Sequence, residues 1–179
     1  MKETKTRYLV LIPLFSIIIS VCAWICFPYV VPFTMQTFGV FFTLAYLGGN
    51  AGTVSVLIYI ILGVFGLPVF SGGTGGLGIL LGANGGFIFG MLFIGFVYML
   101  FERFAEKLKN RETISLLVGL LCCYLCGVFQ FYIFWAAKGE SVKLFQLFAI
   151  CVLPYLVPDL IKLYLAVFFK KRLDRIKFD

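Results

Sequence analysis

The sequence predicts an all-α integral membrane protein: six transmembrane helices in a compact bundle, with residues 1–179 as one domain and both termini cytoplasmic. Three observations predict this. No charged residue occurs from Tyr8 to Phe101, a run of 94 positions. The chain is 62% hydrophobic and only 13% charged, whereas soluble domains carry about 25% charged residues. The basic residues are also segregated along the chain in a way that fixes orientation.

Segments of about 20 apolar residues cross a bilayer. Reading for them, with Gly and Pro as punctuation, gives spans at 8–27, 37–48, 53–66, 85–101, 114–136 and 156–172. The first follows Lys2, Lys5 and Arg7 and has the charge pattern of a signal peptide. Its apolar stretch is too long for one and no A-x-A site follows, so it reads as the first transmembrane helix. Pro28 and Pro32 mark a turn before the second span. The second and third spans are short, and Gly48 to Gly52 forms a tight turn between them. A long glycine-rich loop, Gly66 to Gly82, leads to the fourth span. Glu102 to Thr113 is the strongly charged internal loop before the fifth. After Lys143 the chain is apolar again, and Pro154 and Pro158 precede the last charged pair. Proline is tolerated best in a first helical turn, so Pro158 is expected to open the sixth helix, with a separate short helix at 141–153.

With six spans, 12 of the 15 basic residues fall on the side that holds both termini. Lys138 and Lys143 lie opposite, and Lys162 lies within the sixth span. The excess of positive charge marks the cytoplasmic face. It accounts for the net charge of +7 by membrane orientation, so no nucleic-acid partner is implied.

Asp159 and Lys162 are the only charged residues between Lys143 and Lys170. Residues three apart share a helix face. Placing either charge in a bilayer costs roughly 2.5–3.5 kcal/mol, which makes such a pair a ligand-site candidate by default. The bland alternative is a mutual ion pair that only fixes helix packing. If Pro158 opens the helix, Asp159 lies in its first turn, near free backbone N–H groups and the positive dipole end. Lys162 suits an anionic group such as a carboxylate, and Asp159 suits N–H donors.

Nine of the 21 residues from Gly66 to Gly86 are glycine. The stretch lacks the Lys-Ser/Thr of a phosphate-binding loop. It reads instead as close-approaching backbone, a lid or re-entrant turn beside a cavity, in which Ser71 and Asn84 offer hydrogen bonds. Gln36 is a neutral polar group at the start of the second span, either a ligand contact or a helix cap. Ser16 and Ser20, four apart, permit close helix contact, either internal or with another membrane subunit. Cys123-x-x-Cys126 has the spacing of a metal or redox pair, but the chain holds no histidine and cysteine packs well as a small apolar residue. No catalytic set, ATPase motif or ring of carboxylates is visible. The chain is therefore not read as an enzyme, and no cofactor is expected.

Three stretches carry a resemblance: VPFTMQTFGV (31–40), GLPVFSGGTGGLGILLGANGGFIFG (66–90) and LPYLVPDLIKLYLA (153–166). With their order and the six-helix topology, the chain resembles the BioY family of biotin-specific S components of ECF vitamin transporters. The resemblance implies high-affinity capture of biotin at a bacterial cytoplasmic membrane. It also implies partnership with a transmembrane coupling subunit and two cytoplasmic ATPase subunits, within membrane lipid. Carried over, Lys162 would hold the biotin carboxylate and Asp159 the ureido N–H groups. Gln36 and Asn84 would be further contacts, and Tyr155 and Phe70 would pack on the bicyclic ring. Ser16 and Ser20 stand where such proteins often carry an Ala-x-x-x-Ala docking pattern. An S component for another vitamin, or a structural subunit with a packing-only Asp–Lys pair, are the alternatives.

Overall fold

A computed structural model describes residues 2–105, 107–140 and 143–176. The chain is helical: α1 Lys2–Trp24, α2 Gln36–Leu47, α3 Gly49–Val64, α4 Leu77–Leu81, α5 Gly85–Phe104, α6 Arg111–Ala137, α7 Leu144–Cys151 and α8 Leu153–Ile176. Two-residue strands β1 (Cys26–Phe27) and β2 (Phe33–Thr34) pair antiparallel in the loop between α1 and α2. Thr6–Trp24, α5 and α6 are each long and apolar enough to cross a membrane. The pair α7–α8, bent by 43°, passes together, while α2 and α3 are shorter apolar helices. Helices α1, α2, α3, α5, α6 and α8 make up the six-helix bundle, and α4 and α7 are short accessory pieces.

The bundle is held by apolar packing inside and presents apolar side chains outward. Ile19, Phe41, Leu44, Tyr59, Ile94 and Leu116 are fully enclosed at its centre. Leu9, Phe65, Phe129 and Phe145 are among the many exposed ones, as expected where lipid replaces water. Since lipid gives helices no hydrophobic reason to associate, close contact through small residues matters more than in water. Helices α5 and α6 illustrate this: Gly86 of α5 faces Cys126 and Gly127 of α6, and Gly90 faces Cys123.

The turn between α2 and α3 is tighter than the sequence suggests. Gly48 alone separates the helices, at φ 81°, a left-handed backbone that glycine adopts freely. The N–H of Gly49 donates to the Glu102 carboxylate of α5 at 2.7 Å, so an acid from another helix meets the positive end of α3. At the same end Lys170 of α8 bonds Glu112 of α6 at 2.7 Å. Tyr8 of α1 borders the recess formed by Gly48, Gly49 and Glu102. Both ends of the chain thus approach one end of the bundle, the one that carries the basic clusters.

Pro158 does not open the last helix. Helix α8 begins at Leu153 and contains Pro158, and Pro154 occupies the first turn, where a missing N–H leaves nothing unsatisfied. Asp159 consequently sits about two turns into the helix, away from the free N–H groups of its start. The expected short helix before it exists, as α7.

At Gly90 an added Cβ would lie 2.7 Å from the Cys123 sulfur and 2.8 Å from its Cα. Gly90→Ala should therefore push α5 off α6 and destabilise the protein by about 1–3 kcal/mol. Gly78→Ala, with nothing within 4 Å, should leave stability unchanged. Thermal unfolding of the two variants in detergent checks the contrast.

Candidate functional site

A cavity of about 280 Å³ lies between α2, α5, α6, α8 and the glycine-rich loop, close to the ~300–1,000 Å³ usual for small-ligand sites. Asp159 and Lys162 are its only charged lining residues among the described ones. They are 4% and 5% exposed. Thr74 on the loop, which also lines the cavity, is exposed, so the cavity reaches the surface there.

The spacing of three places both charged groups on the same face of α8, and their head groups touch. Lys162 Nζ lies 2.9 Å from Asp159 Oδ1. The ammonium also donates to the Thr34 carbonyl at 2.6 Å and to Thr37 Oγ1 at 3.2 Å. Its three protons are thereby all engaged, and the Phe33 ring centre lies 4.3 Å away, within cation–π range. Asp159 Oδ1 accepts from Thr37 Oγ1 at 2.9 Å, and Oδ2 accepts from the Tyr124 hydroxyl at 2.6 Å. A carboxylate has about four acceptor positions, and one on Oδ2 is left open by these bonds. The two charges therefore form a neutral node joining α2, α6 and α8.

This geometry corrects the expectation of a two-ended clamp. Groups 2.9 Å apart meet one end of a ligand, and a carboxylate and a ureido ring at opposite ends of a molecule cannot each take one of them.

Asn84 stands just before α5 and lines the cavity. Its Nδ2 donates to the Val30 carbonyl at 3.4 Å, and its Oδ1 is buried with no hydrogen-bond partner. An unpartnered buried acceptor is costly unless a ligand or water meets it. Gln36 also lines the cavity. Its Nε2 donates to Tyr59 Oη at 2.7 Å and reaches Met91 Sδ at 3.1 Å, while Ser71 Oγ donates to its Oε1 at 3.4 Å. It is a strut joining α2, α3, α5 and the loop. Tyr155 donates its hydroxyl to the Val31 carbonyl, stacks with Phe33 at 6.2 Å, and presents part of its surface to the cavity.

Two expectations are overturned. Phe70 does not line the cavity. It is fully enclosed, seated on Gly63 and edge-on to Tyr59 at 5.6 Å. Any Cβ at position 63 would collide with its ring, so Phe70 acts as the peg that fixes the glycine loop to α3. Ser16 and Ser20 do not form an outward docking face. They are 0% and 5% exposed, and Ser16 Oγ donates to the Ser55 carbonyl of α3 at 2.8 Å. Their small size serves close contact inside the bundle.

The loop is pinned at further points. Trp24 Nε1 donates to the Pro68 carbonyl at 2.7 Å. Gln130 Nε2 of α6 donates to the Leu80 and Gly82 carbonyls at 2.6 and 2.8 Å. Sequence reasoning missed Thr37, Tyr124 and Gln130. Thr37 stood in the highlighted 31–40 stretch. Tyr124 and Gln130 sit in an uninterrupted apolar helix, where no local pattern marks them.

The comparisons with known proteins agree with this architecture. Residues 1–177 match the BioY family. The chain is 37% identical to the biotin transporter BioY of Thermotoga maritima, over 97% of this chain and 99% of that one. It is 37% identical to the probable biotin transporter BioY of Pyrococcus horikoshii, over 95% and 98%. The 2.1 Å crystal structure of the S-component for biotin from an ECF-type ABC transporter superposes with a TM-score of 0.85 at 25% identity, covering 98% of this chain and 94% of that one. A family match along nearly its whole length, with relatives aligned end to end, shows that the chain belongs to the BioY family.

Proposed function

We propose that this protein binds biotin in the cavity between α2, α5, α6 and α8, as the substrate-capture S component of an ECF-type ABC transporter in a bacterial cytoplasmic membrane. The observation that carries the reading is the pairing of two free acceptor positions, on Asp159 Oδ2 and Asn84 Oδ1, with a cation in a chamber whose other lining groups are neutral. The ureido group of biotin has two N–H donors and one carbonyl. Its donors suit Asp159 and Asn84. Its carbonyl suits Lys162, displacing Thr37, which holds the longest of the three ammonium bonds at 3.2 Å. The tetrahydrothiophene and aliphatic tail would lie against Ile88, Met91 and Leu120, which line the same cavity.

Six helices with no nucleotide-binding motif cannot by themselves couple ATP to movement. The reading therefore includes a transmembrane coupling subunit and two cytoplasmic ATPases. The basic end of the bundle faces the cytoplasm, which places the glycine loop and the cavity mouth on the outer side.

One observation favours a second, purely structural reading: the Asp159–Lys162 pair is satisfied by the chain itself. The two readings part at Asn84, whose Oδ1 has no structural bond to lose. Asn84→Ala should weaken biotin binding at least about tenfold, or about 1.4 kcal/mol, while the ligand-free protein loses only the long 3.4 Å bond from Nδ2 to the Val30 carbonyl, at most about 0.5–1.5 kcal/mol. Calorimetric titration and thermal unfolding of that variant measure both. Tyr124→Phe should cost the ligand-free protein about 1.5–3 kcal/mol, the value of a hydrogen bond to a charged group. Lys162→Ala should cost about 3–5 kcal/mol, because it leaves a buried carboxylate unpaired. Mass spectrometry of small molecules released from detergent-purified protein should find biotin. Its absence, with no binding after biotin depletion, would refute the assignment.

A further inference from the structure

Among the described residues the cavity wall contains one anion and one cation, and each is neutralised by the other at 2.9 Å. The one ammonium bond that a ligand can replace, the 3.2 Å bond to Thr37, is the one taken by the urea carbonyl, and the other two go to Thr34 and Asp159. A ligand that brought its own carboxylate to this node would place a second anion beside Asp159, with no free cation to offset it. Burying an unpaired charge is among the costliest events in a protein interior.

Among the described residues the mouth offers no cation either. Ser71 and Thr74 line it, and their hydroxyl protons are directed to Gln36 Oε1 and the Ser71 carbonyl. They are neutral hydroxyls, which meet an amide or a carboxylate alike and offer a carboxylate no charge to pair with. The two basic residues at the outer end of the bundle lie outside the cavity lining. Lys138 rests over the Phe134 and Trp135 rings, 4.5 and 5.1 Å from their centres, and Lys143 is exposed at the start of α7.

We infer that the site reads the cyclic urea and is indifferent to charge on the tail, so that biotin derivatives with an uncharged tail, the carboxamide and alkyl esters, are also ligands. This rests on the biotin reading above. The urea enters the buried end, where Asp159, Asn84 and Lys162 converge. The tail points to the exposed loop, where a carboxylate keeps its water. A solvated charge near neutral protein groups contributes little to affinity, as exposed ion pairs themselves contribute only about 0–1 kcal/mol.

The test is displacement of radiolabelled biotin from the purified full chain in detergent. Biotin carboxamide and biotin methyl ester should compete with dissociation constants within about tenfold of biotin's own, a difference of at most about 1.4 kcal/mol. A thiolane-pentanoic acid lacking the urea should fail to compete at about a thousandfold higher concentration. Lys138→Gln combined with Lys143→Gln should leave biotin affinity unchanged within about threefold, because neither side chain lines the cavity and exposed charges are worth little. Loss of more than tenfold by both uncharged derivatives, or by the double variant, would place the carboxylate on a cation and overturn the inference. Equal competition by the urea-less acid would overturn it as well. Failure of biotin itself to bind would instead remove the proposed function.

Discussion

Two opposite charges buried in an apolar bundle hold three of its helices to one another, and the cavity exists because they do. Lys162 reaches from α8 to the Thr34 carbonyl and the Thr37 hydroxyl at the start of α2, and Asp159 reaches to Tyr124 on α6. Each bond is worth more here than it would be in water, since the alternative for the charge is no partner. The node also costs something: two desolvated ions return little net stability compared with apolar packing. A chain that needed only cohesion would be served better by leucines. What the node provides is a fixed polar surface inside a greasy chamber, with one acceptor position to spare.

The same logic extends to the glycine loop. Its glycines leave it few side-chain anchors of its own, so its position is set by a few pegs. Phe70 fills the space over Gly63, Trp24 holds the Pro68 carbonyl, and Gln130 holds Leu80 and Gly82. Between the pegs, Gly72, Gly73 and Gly76 have left-handed backbone. Rigid attachment at the margins and small residues in the middle let the chain pass over the cavity mouth without filling it.

Much of this was legible in the sequence, and the reasons for the failures are physical. Long apolar runs gave the first, fourth and fifth spans because span length is a property of the chain alone. The charged pair stood out because charge in an apolar segment is rare. Tyr124 could not be found this way: its role depends on which helix faces Asp159, a matter of tertiary packing. Phe70 was misplaced for the same reason, since an aromatic beside a candidate site and an aromatic plugged into a neighbouring helix look identical in sequence. Ser16 and Ser20 were correctly read as a close-contact pair, but spacing carries no information on which side of α1 meets the bundle. At Pro158 the rule was sound and its subject was wrong. Pro154, four residues earlier, already occupied the permissive first turn.

Helix α6 carries Tyr124 and Gln130 on one rigid element, six residues or roughly 9 Å apart along its axis. The first grips the floor of the chamber through Asp159, and the second grips its rim through the Leu80 and Gly82 carbonyls. A rod fastened to both cannot slide or turn without moving the two together. Floor and rim are therefore geared: any shift of α6 that loosens the binding groups also loosens the cover, with no separate relay between them.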